Sequence, residues 1–524
     1  MADTVPAAGT FPALLRHNAD EHGDLPALVT IDASITHRAL HDRSRTLAAR
    51  LVARGVGKGA RVGLLAPNDI EWAVTAAAVL RVGGVLVPLS TLLRPPELEA
   101  QLRTAGVTHL IAAPSFRDRR YLDDLDAVAP GIVAATAADR RHPTLPNLRA
   151  VWPIDDVPTD AVDATLVDAL GDAVRPADDL VVLFTSGSRG VPKGVVHTHG
   201  GGLRAVAAGL DARCVHQGER LYVPMPFFWT GGLATGLLTV IVAGATLLTE
   251  AIPQPDQTLA LLERERVTLF RGWPDQAARL AAQPGFVDAD LSTLGPGSLP
   301  AVLPPDLRPA PGARANLFGM TETFGPYCGA RLDLDLPADE RGSCGRPFDG
   351  FEVQIVDPDT GDARLPGADG EIRVRGRNVM RAICGRTRDA TFDATGHYPT
   401  SDLGVLDADG YLWYRGRLDD MFKVKGATVY PAEVEAALRG VDGVSQAHVT
   451  DVATPDGGVE VGALVLSKAG LTEIAAGAKA RLSGFKVPTR WVVTPAVGDV
   501  PRTATDKVDK AALQALIGRE GTKT

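Results

Sequence analysis

Short apolar runs that alternate with helical stretches constrain the fold of this chain more than any other feature. The run RVGLLAP at 61–67 precedes a helical pattern at 71–81, and further buried runs follow at 83–89, 108–114, 179–187 and 265–274. Strands that alternate with helices in this way are typical of a largely parallel sheet covered by helices. The sequence therefore predicts an α/β fold whose large N-terminal part contains two βαβ-type sheets.

The pattern changes after residue 350, which indicates a second structural region. Short runs rich in turn residues at 350–375 predict a small antiparallel or barrel-like lobe. A chain of 524 residues is too long for one hydrophobic core. We place the domain boundary in the charged, glycine-rich connection at 410–426, which predicts a large domain at 1–416 and a small α+β domain at 417–524. In the small domain we expect helices at 431–439 and 471–482 and strands at 445–449 and 459–466.

Composition argues against several classes of protein. The net charge of -9 gives no electrostatic reason to expect binding to nucleic acid or to an anionic membrane. The four cysteines stand far apart without a CxxC pair, which favours neither a disulfide framework nor a zinc site and fits a reducing cytoplasm. The N-terminus lacks the pattern of a signal peptide. The uncharged stretch at 231–249 is almost long enough to cross a bilayer, but its Gly, Ala and Thr content predicts a buried element.

The strongest local signal is the segment LFTSGSRGVPKG at 183–194, in which an apolar strand leads into small and hydroxylated residues and then a lysine. Triphosphate oxygens need close backbone N–H groups, hydroxyl donors and a cation, and this segment supplies all three. It is not a Walker loop, because Gly194 stands where that motif requires Ser or Thr. The segment predicts a phosphate-binding loop.

This loop resembles the TSG[ST]TGxPKG signature of the adenylate-forming superfamily, which includes acyl-CoA synthetases such as fatty-acid and 4-coumarate CoA ligases, peptide-synthetase adenylation domains and beetle luciferases. Other signatures of that superfamily follow in the same order. They are NLFGMTET at 316–323, TSDL at 400–403, YRGRLDDMFKVKG at 414–426 and PRTATDKV at 501–508. The resemblance spans nearly the whole chain and implies a large AMP-binding domain with a small, mobile C-terminal domain.

The resemblance also implies roles for individual residues toward ATP and Mg²⁺. Thr321 matches a phosphate contact, Glu322 matches the carboxylate that reaches Mg²⁺, and Phe318 matches the aromatic that stacks on adenine. Asp402 and Arg417 match contacts to the ribose. The remaining residues implied in ATP or AMP binding are Thr185, Ser186, Gly187, Ser188, Arg189, Lys193, Gly295 and Gly319.

Lys507 matches the lysine that the superfamily uses for adenylation. Attack of a carboxylate on the α-phosphate brings two anions together, and a fixed ammonium offsets the charge that develops. Asp506 replaces the glycine usual before this lysine, and Arg189 replaces a threonine in the phosphate loop. The resemblance thus implies that Lys507, Thr321 and Glu322 are catalytic.

The same resemblance implies a second half reaction with coenzyme A. Asp419 matches the hinge about which the small domain rotates after adenylation, while Lys423 and Gly426 match the segment that then approaches the site. Gly426 would leave room for the pantetheine arm. One cavity would in this way serve two half reactions in turn.

The segment PMPFFWTGG at 224–232 bears on the acid, because Trp229 stands where many relatives have the histidine that lines the acyl and thiol channels. Amino-acid-activating relatives carry an aspartate near this point, whereas Phe227, Phe228 and Trp229 offer no charge. We therefore expect ATP-dependent activation of a hydrophobic acid, aliphatic or polycyclic, and transfer to coenzyme A by a cytoplasmic acyl-CoA synthetase, which could be a homodimer. Two alternatives stay open: an enzyme that stops at the adenylate or passes it to a carrier-protein thiol or separate transferase, and a non-catalytic binding relative.

Overall fold

The computed structural model describes residues 9–185, 192–424, 427–454, 458–502 and 508–523, and the side chains at 419, 423, 427 and 428 lie outside that description. The chain divides into two compact units. Unit 1 runs to Val353 and also contains Val374–Tyr398, and unit 2 contains Gln354–Arg373 and the chain from Pro399 onward. The predicted boundary at 416/417 stays a prediction.

The helices of the described residues, in chain order, are α1 Phe11–Glu21, α2 His37–Ala53, α3 Ile70–Arg81, α4 Pro95–Ala105, α5 Tyr121–Val128, α6 Ile132–Ala137, α7 Ala164–Asp172, α8 His199–Ala208, α9 Thr230–Gly232, α10 Leu238–Ala243, α11 Pro255–Arg264, α12 Pro274–Ala281, α13 Pro431–Arg439, α14 Leu471–Arg481 and α15 Lys510–Glu520.

The strands of the described residues are β1 Pro26–Val29, β2 Ser34–Thr36, β3 Arg61–Leu65, β4 Val85–Pro88, β5 His109–Ala112, β6 Ala150–Pro153, β7 Asp179–Thr185, β8 Lys193–Thr198, β9 Arg220–Tyr222, β10 Thr246–Leu248, β11 Leu269–Phe270, β12 Phe318–Met320, β13 Gly325–Gly329, β14 Arg346–Pro347, β15 Glu352–Val356, β16 Gly370–Arg375, β17 Ala382–Ile383, β18 Tyr398–Leu406, β19 Leu412–Arg417, β20 Phe422–Val424, β21 Ala427–Val429, β22 Val444–Ala453, β23 Val459–Ser467, β24 Arg490–Thr494 and β25 Thr522–Lys523.

Unit 1 is built on two mainly parallel sheets, as the alternating pattern predicts. The larger has the order β17-β8-β7-β4-β3-β5-β6, and its strands from β7 to β6 run parallel. The smaller has the order β11-β9-β10-β1-β2, with β1, β9, β10 and β11 parallel. The prediction of an α/β fold with two βαβ-type sheets is confirmed.

An antiparallel hairpin lies next to the edge strand β17 of the larger sheet and flanks the phosphate-loop segment. Strands β7 and β8 pair in antiparallel fashion, and Thr185 at the end of β7 is the register partner of Lys193 at the start of β8. Residues 186–191, which connect the two strands in the sequence, lie outside the described residues. The fold thus brings the two ends of the predicted loop together.

The uncharged stretch at 231–249 is buried, as predicted. It continues from α9 through a π-helical turn, Leu233–Leu237, into α10 and then into β10. Its Leu, Val and Ile side chains lie in the core of unit 1. Among the described residues, no helix is both long enough and apolar enough to cross a membrane.

Unit 2 has a separate α+β core. Strands β22 and β23 are antiparallel, β24 joins β23 in parallel, and β25 closes the edge. Helices α13 and α14 bury Val434, Leu438 and Ile474 against this sheet, beside the fully buried Trp491. In the region predicted to form a small antiparallel or barrel-like lobe, 350–375, β15 and β16 join β18 and β19 in a four-stranded sheet. The prediction of a small α+β unit near the C-terminus agrees with this core.

Candidate active site

A short turn in unit 1 presents the two predicted residues Thr321 and Glu322. The turn is a 3-10 helix, Thr321–Thr323, that follows β12 and ends at Phe324, whose φ is +58°. The buried Thr323 hydroxyl donates to the Met320 and Gly325 carbonyls, at 3.0 and 2.7 Å. These bonds satisfy the polar groups of a tight, buried turn and so hold its shape.

The Glu322 carboxylate is buried, with 3% of the residue exposed, and lies against a lysine from β8. The Lys193 ammonium is 2.5 Å from Glu322 Oε1. The Tyr398 hydroxyl donates to the same oxygen at 3.1 Å and lies 3.0 Å from Lys193 Nζ. A buried carboxylate needs this kind of paired and hydrogen-bonded environment to stay ionised. The structure therefore brings together Lys193 and Glu322, which are 129 residues apart in sequence.

Two further contacts tie the turn to neighbouring elements of unit 1. The Thr230 hydroxyl, at the start of α9, donates to the Thr321 hydroxyl at 3.2 Å. The backbone N–H of Met380 donates to the Glu322 carbonyl at 2.8 Å. Thr321 is thus linked directly to the helix that follows Trp229, and the backbone of Glu322 is held from a second side.

His197 lies beneath the same turn and is a residue that sequence reasoning missed. Its imidazole is almost fully buried, and Nε2 is 2.7 Å from the Thr321 carbonyl oxygen. The ring packs against Phe324 with centroids 4.6 Å apart. Burial lowers the pKa of His197 to about 4, although its bond to the Thr321 carbonyl and the nearby Glu322 act in the opposite direction. Tyr398 was also missed, because no residue type or spacing connects either side chain to the turn.

The residues predicted near adenine occupy two places in unit 1. Phe318 begins β12, and its ring makes an edge contact with Tyr327 at 5.5 Å. Gly319 follows, and a Cβ there would stand 2.2 Å from the Gly325 carbonyl oxygen, so the close strand pairing requires glycine. At Gly295, in contrast, a Cβ would make only ordinary contact with the Thr268 carbonyl oxygen, at 3.5 Å.

An aromatic cluster surrounds the predicted acyl-channel residue Trp229. The Phe228 and Trp229 ring centroids are 5.4 Å apart, and the Trp229 and Trp273 centroids are 6.2 Å apart with nearly perpendicular planes. Phe228 is 5% exposed, whereas Trp273 is 38% exposed, which is unusual for so large an apolar side chain. Phe227 packs instead on Trp72 in the core, at 5.0 Å. Trp273, from the start of α12, is a further residue that the sequence did not single out.

Unit 2 brings together the two predicted ribose residues. Asp402 and Arg417 are register partners on β18 and β19, and Arg417 Nη1 lies 3.0 Å from Asp402 Oδ1. Asp402 is 5% exposed, and its backbone N–H donates to the Thr400 hydroxyl at 3.0 Å. The same Arg417 nitrogen donates to the Thr400 carbonyl at 3.1 Å. The pair is a buried carboxylate held in place by an arginine.

Within the described residues, no group of three His, Cys, Asp or Glu side chains is arranged to hold a metal by protein ligands alone. The predicted residues that lie outside the described backbone or side chains are Ser186, Gly187, Ser188, Arg189, Asp419, Lys423, Gly426 and Lys507.

Comparison with known proteins places these features in context. The sequence profile described as "AMP-binding enzyme" matches residues 15–383. The chain is 32% identical to 3-[(3aS,4S,7aS)-7a-methyl-1,5-dioxo-octahydro-1H-inden-4-yl]propanoyl:CoA ligase of Rhodococcus jostii, over 96% of this chain and 98% of that protein. It is also 32% identical to feruloyl-CoA synthase of an Amycolatopsis species, over 93% of this chain and 94% of that protein. The fold is similar to the crystal structure of an anthranilate CoA ligase in complex with anthranoyl-AMP, with a TM-score of 0.79, 24% identity and 99% of each chain covered.

Proposed function

This chain belongs to the AMP-binding enzymes, and we propose that its substrate is a hydrophobic carboxylic acid, aliphatic or polycyclic. The predictions of the adenylate-forming superfamily and of an AMP-forming acyl-CoA synthetase are confirmed by curated acyl-CoA ligases that match along nearly the full length. Such ligases use ATP, Mg²⁺ and coenzyme A. The observation that carries the assignment of the site is the buried contact between Lys193 and Glu322 beside Thr321.

The reaction consists of two displacements. In the first, a carboxylate oxygen of the acid attacks the α-phosphorus of ATP, and the bond to pyrophosphate breaks, which leaves acyl-AMP. In the second, the coenzyme A thiol loses its proton and attacks the acyl carbon, and the bond from that carbon to the AMP oxygen breaks. Both steps need fixed positive charge or hydrogen-bond donors where phosphate oxygens gain charge.

We assign the phosphate side of the site to unit 1. Thr185, Lys193 and Thr321 supply two hydroxyls and an ammonium, the donor types that phosphate oxygens accept. In the structure the Lys193 ammonium is neutralised by Glu322. ATP with its metal would provide a new partner for each of these two charges, since phosphate attracts the lysine and Mg²⁺ attracts the carboxylate.

The residues present fit Mg²⁺ bound together with ATP. Mg²⁺ is commonly held by one or two carboxylates and by substrate phosphates rather than by a full protein cage. Glu322 is a buried carboxylate whose oxygen already lies 2.5 Å from the Lys193 ammonium, so the turn tolerates positive charge at this point. When bound, Mg²⁺ would neutralise phosphate charge. Glu322 would hold it, and Tyr398 would orient that carboxylate.

In unit 2, Asp402 is suited to accept hydrogen bonds from both ribose hydroxyls. Its two carboxylate oxygens provide a bidentate acceptor, and Arg417 and Thr400 fix its orientation. For the residues whose backbone or side chains the structure does not describe, we propose the roles that the family implies. Lys507 would offset charge on the α-phosphate, Asp419 would be the hinge, and Lys423 and Gly426 would serve the thioester step.

The class of acid is argued from the aromatic cluster. Phe228, Trp229 and Trp273 provide apolar ring faces and edges, and none of them brings a charge to pair with a substrate amine. The Rhodococcus relative is named for a bicyclic propanoate and the Amycolatopsis relative for ferulate, both acids with ring systems. Aromatic side chains favour an aryl acid beyond the simple burial of apolar area, and they offer apolar area to a saturated ring system. A ring-bearing acid is therefore the form of substrate that we favour.

Location and assembly are also proposals. We assign the enzyme to the cytoplasm, since all four cysteines are free thiols, three of them buried, and reducing compartments preserve thiols. A homodimer, and a carrier-protein thiol as an acceptor in place of coenzyme A, are the further options that the sequence leaves open.

The proposal is tested with purified protein, ATP, Mg²⁺ and a panel of straight-chain, aryl and bicyclic acids, each with and without coenzyme A. Mass spectrometry follows acyl-AMP and acyl-CoA. We expect acyl-CoA with ring-bearing acids, and little product from the Lys507→Ala variant. Turnover of an amino acid above that of every ring or fatty acid would overturn the assigned substrate class. Acyl-AMP that accumulates regardless of coenzyme A would support the half-enzyme alternative.

A further inference from the structure

Strand β8 contacts the Thr321–Thr323 turn through two side chains rather than one. Side chains at positions i, i+2 and i+4 of a strand share a face, so Lys193 and His197, four residues apart, both project toward the same side of β8. Lys193 binds the Glu322 carboxylate, and His197 binds the Thr321 carbonyl at 2.7 Å. The carbonyl of Thr321 belongs to the peptide group that joins Thr321 to Glu322. A bond to this oxygen therefore fixes the backbone between the two residues proposed to contact phosphate and Mg²⁺.

The chemistry of the imidazole defines this contact further. A carbonyl can only accept, so the His197 proton must be on Nε2. With its one proton on Nε2 the neutral ring has only a lone pair on Nδ1, which is buried and has no hydrogen-bond partner among the described residues. Burial lowers the pKa of the ring to about 4, and the imidazole is neutral at pH 7. His197 thus acts as a single, fixed hydrogen-bond donor.

The surroundings leave this donor little freedom to move. Only 1% of His197 is exposed, and its ring packs on Phe324, the residue that ends the turn in the left-handed region. The Met380 N–H holds the next carbonyl along the chain, that of Glu322, at 2.8 Å. Both peptide groups that flank the Glu322 α-carbon are therefore held by hydrogen bonds from other elements of unit 1.

We propose that His197 is a positioning residue for nucleotide binding, which acts by donating from Nε2 to the Thr321 carbonyl and so orienting Thr321 and Glu322. It touches neither ATP nor the acid. The inference rests on the proposed phosphate and Mg²⁺ roles of this turn. This role requires a hydrogen-bond donor at the position of Nε2, supplied from the strand beneath the turn.

Two substitutions separate the donor from the rest of the side chain. The amide nitrogen of glutamine can occupy the place of Nε2, whereas that of asparagine reaches only as far as Nδ1. We expect His197→Gln to keep nucleotide affinity within about twofold, and His197→Asn to lose about tenfold, the effect of one hydrogen bond. The loss should be larger with Mg²⁺ than without it, because Glu322 is the proposed metal contact.

His199, two residues further along, provides a matched control. It is equally buried, but its Nδ1 accepts from the Phe11 backbone N–H at 3.2 Å, and among the described residues it makes no hydrogen bond to the turn. The His199→Asn and His199→Gln variants should change thermal stability only. A general effect of disturbing a buried histidine would appear at both positions, whereas a positioning role appears at His197 alone.

The measurement is isothermal titration of each full-length variant with α,β-methylene ATP, with and without Mg²⁺, together with its thermal unfolding. This readout needs neither the correct acid nor turnover. Equal affinity of wild type and a folded His197→Asn variant would overturn the inference while leaving the proposed function intact. Weakened binding by a folded His197→Gln variant would also overturn it, even if the asparagine variant did not fold. Failure of the wild type to bind the nucleotide would refute the proposed function, and the inference with it.

Discussion

The substitution Glu322→Gln removes one charge from the centre of the proposed phosphate site with almost no change in shape. The amide oxygen can still accept from the Tyr398 hydroxyl, now 3.1 Å from Glu322 Oε1, so that contact is retained. The pairing with the Lys193 ammonium at 2.5 Å is lost. The variant therefore tests the charge of Glu322 separately from its volume.

The expected cost in stability follows from the exposure of the two side chains. Removal of one partner from a fully buried ion pair costs about 3–5 kcal/mol. The Glu322 side chain is 4% exposed, but the Lys193 side chain is 23% exposed and keeps some contact with water. We therefore expect a loss of about 2 kcal/mol in the free energy of unfolding, within the range for hydrogen bonds to charged groups. The expected effect on adenylation is larger, about 10²- to 10³-fold, because Glu322 would hold the Mg²⁺ that neutralises the charge developing on the phosphate oxygens.

Stability is measured by chemical denaturation, and adenylation by release of pyrophosphate in the first turnover with saturating acid. Asp123→Asn is the control, since it removes a charge from the Arg120–Asp123 pair, whose side chains are 75% and 65% exposed. That change should cost less than about 1 kcal/mol and leave adenylation unchanged. A folded Glu322→Gln variant that releases pyrophosphate at the wild-type rate would refute the role assigned to this turn.

Three further outcomes are expected. Trp273→Ala should lower kcat/KM for bicyclic and aryl acids about tenfold more than for short aliphatic acids, with kcat/KM measured as acyl-CoA formation. An equal loss for all acids would argue against a contact between Trp273 and the ring of the acid. Asp402→Asn should weaken ATP binding and abolish any preference for ATP over 2′-deoxy-ATP, and a preference that survives would remove the ribose assignment. Burial lowers the pKa of His37 from 6.5 to about 4. Between these two values the unfolded chain takes up a proton that the folded chain does not. The free energy of unfolding therefore falls by about 1.4 kcal/mol for each unit by which the pH is lowered. Between pH 7 and pH 5 the wild type should thus lose more stability than His37→Gln, and parallel denaturation curves would contradict this.

The parts of the fold that the sequence predicts well are those set by local signals. The helix predicted at 431–439 is observed at the same residues, where Pro431 occupies the first turn and needs no N–H partner. The predicted helix at 71–81 is observed as Ile70–Arg81, with Asp69 capping its first turn. The strand predicted within 265–274 is only Leu269–Phe270, because β9 offers it just Leu221 and Tyr222 as partners. Its length depends on a neighbour that local sequence does not reveal.

The candidate site shows the same division. The sequence motifs identify Lys193 and Glu322 separately, but their contact depends on the packing of β8 against a turn 129 residues later in the chain. His197 and Tyr398 could not be found in this way, since a lone histidine in a strand and a lone tyrosine are common core residues. Their function depends on which backbone or carboxylate oxygen they reach, and only the folded chain provides that information.

The central claim, that this enzyme makes acyl-CoA through acyl-AMP, is tested most directly with an acid labelled with ¹⁸O in both carboxylate oxygens. Incubation with ATP, Mg²⁺ and coenzyme A is followed by mass spectrometry of the products. If the carboxylate attacks the α-phosphorus, one labelled oxygen ends in AMP, one stays in acyl-CoA and none enters pyrophosphate. Formation of ADP and labelled phosphate, or of AMP without label, would contradict the acyl-adenylate route.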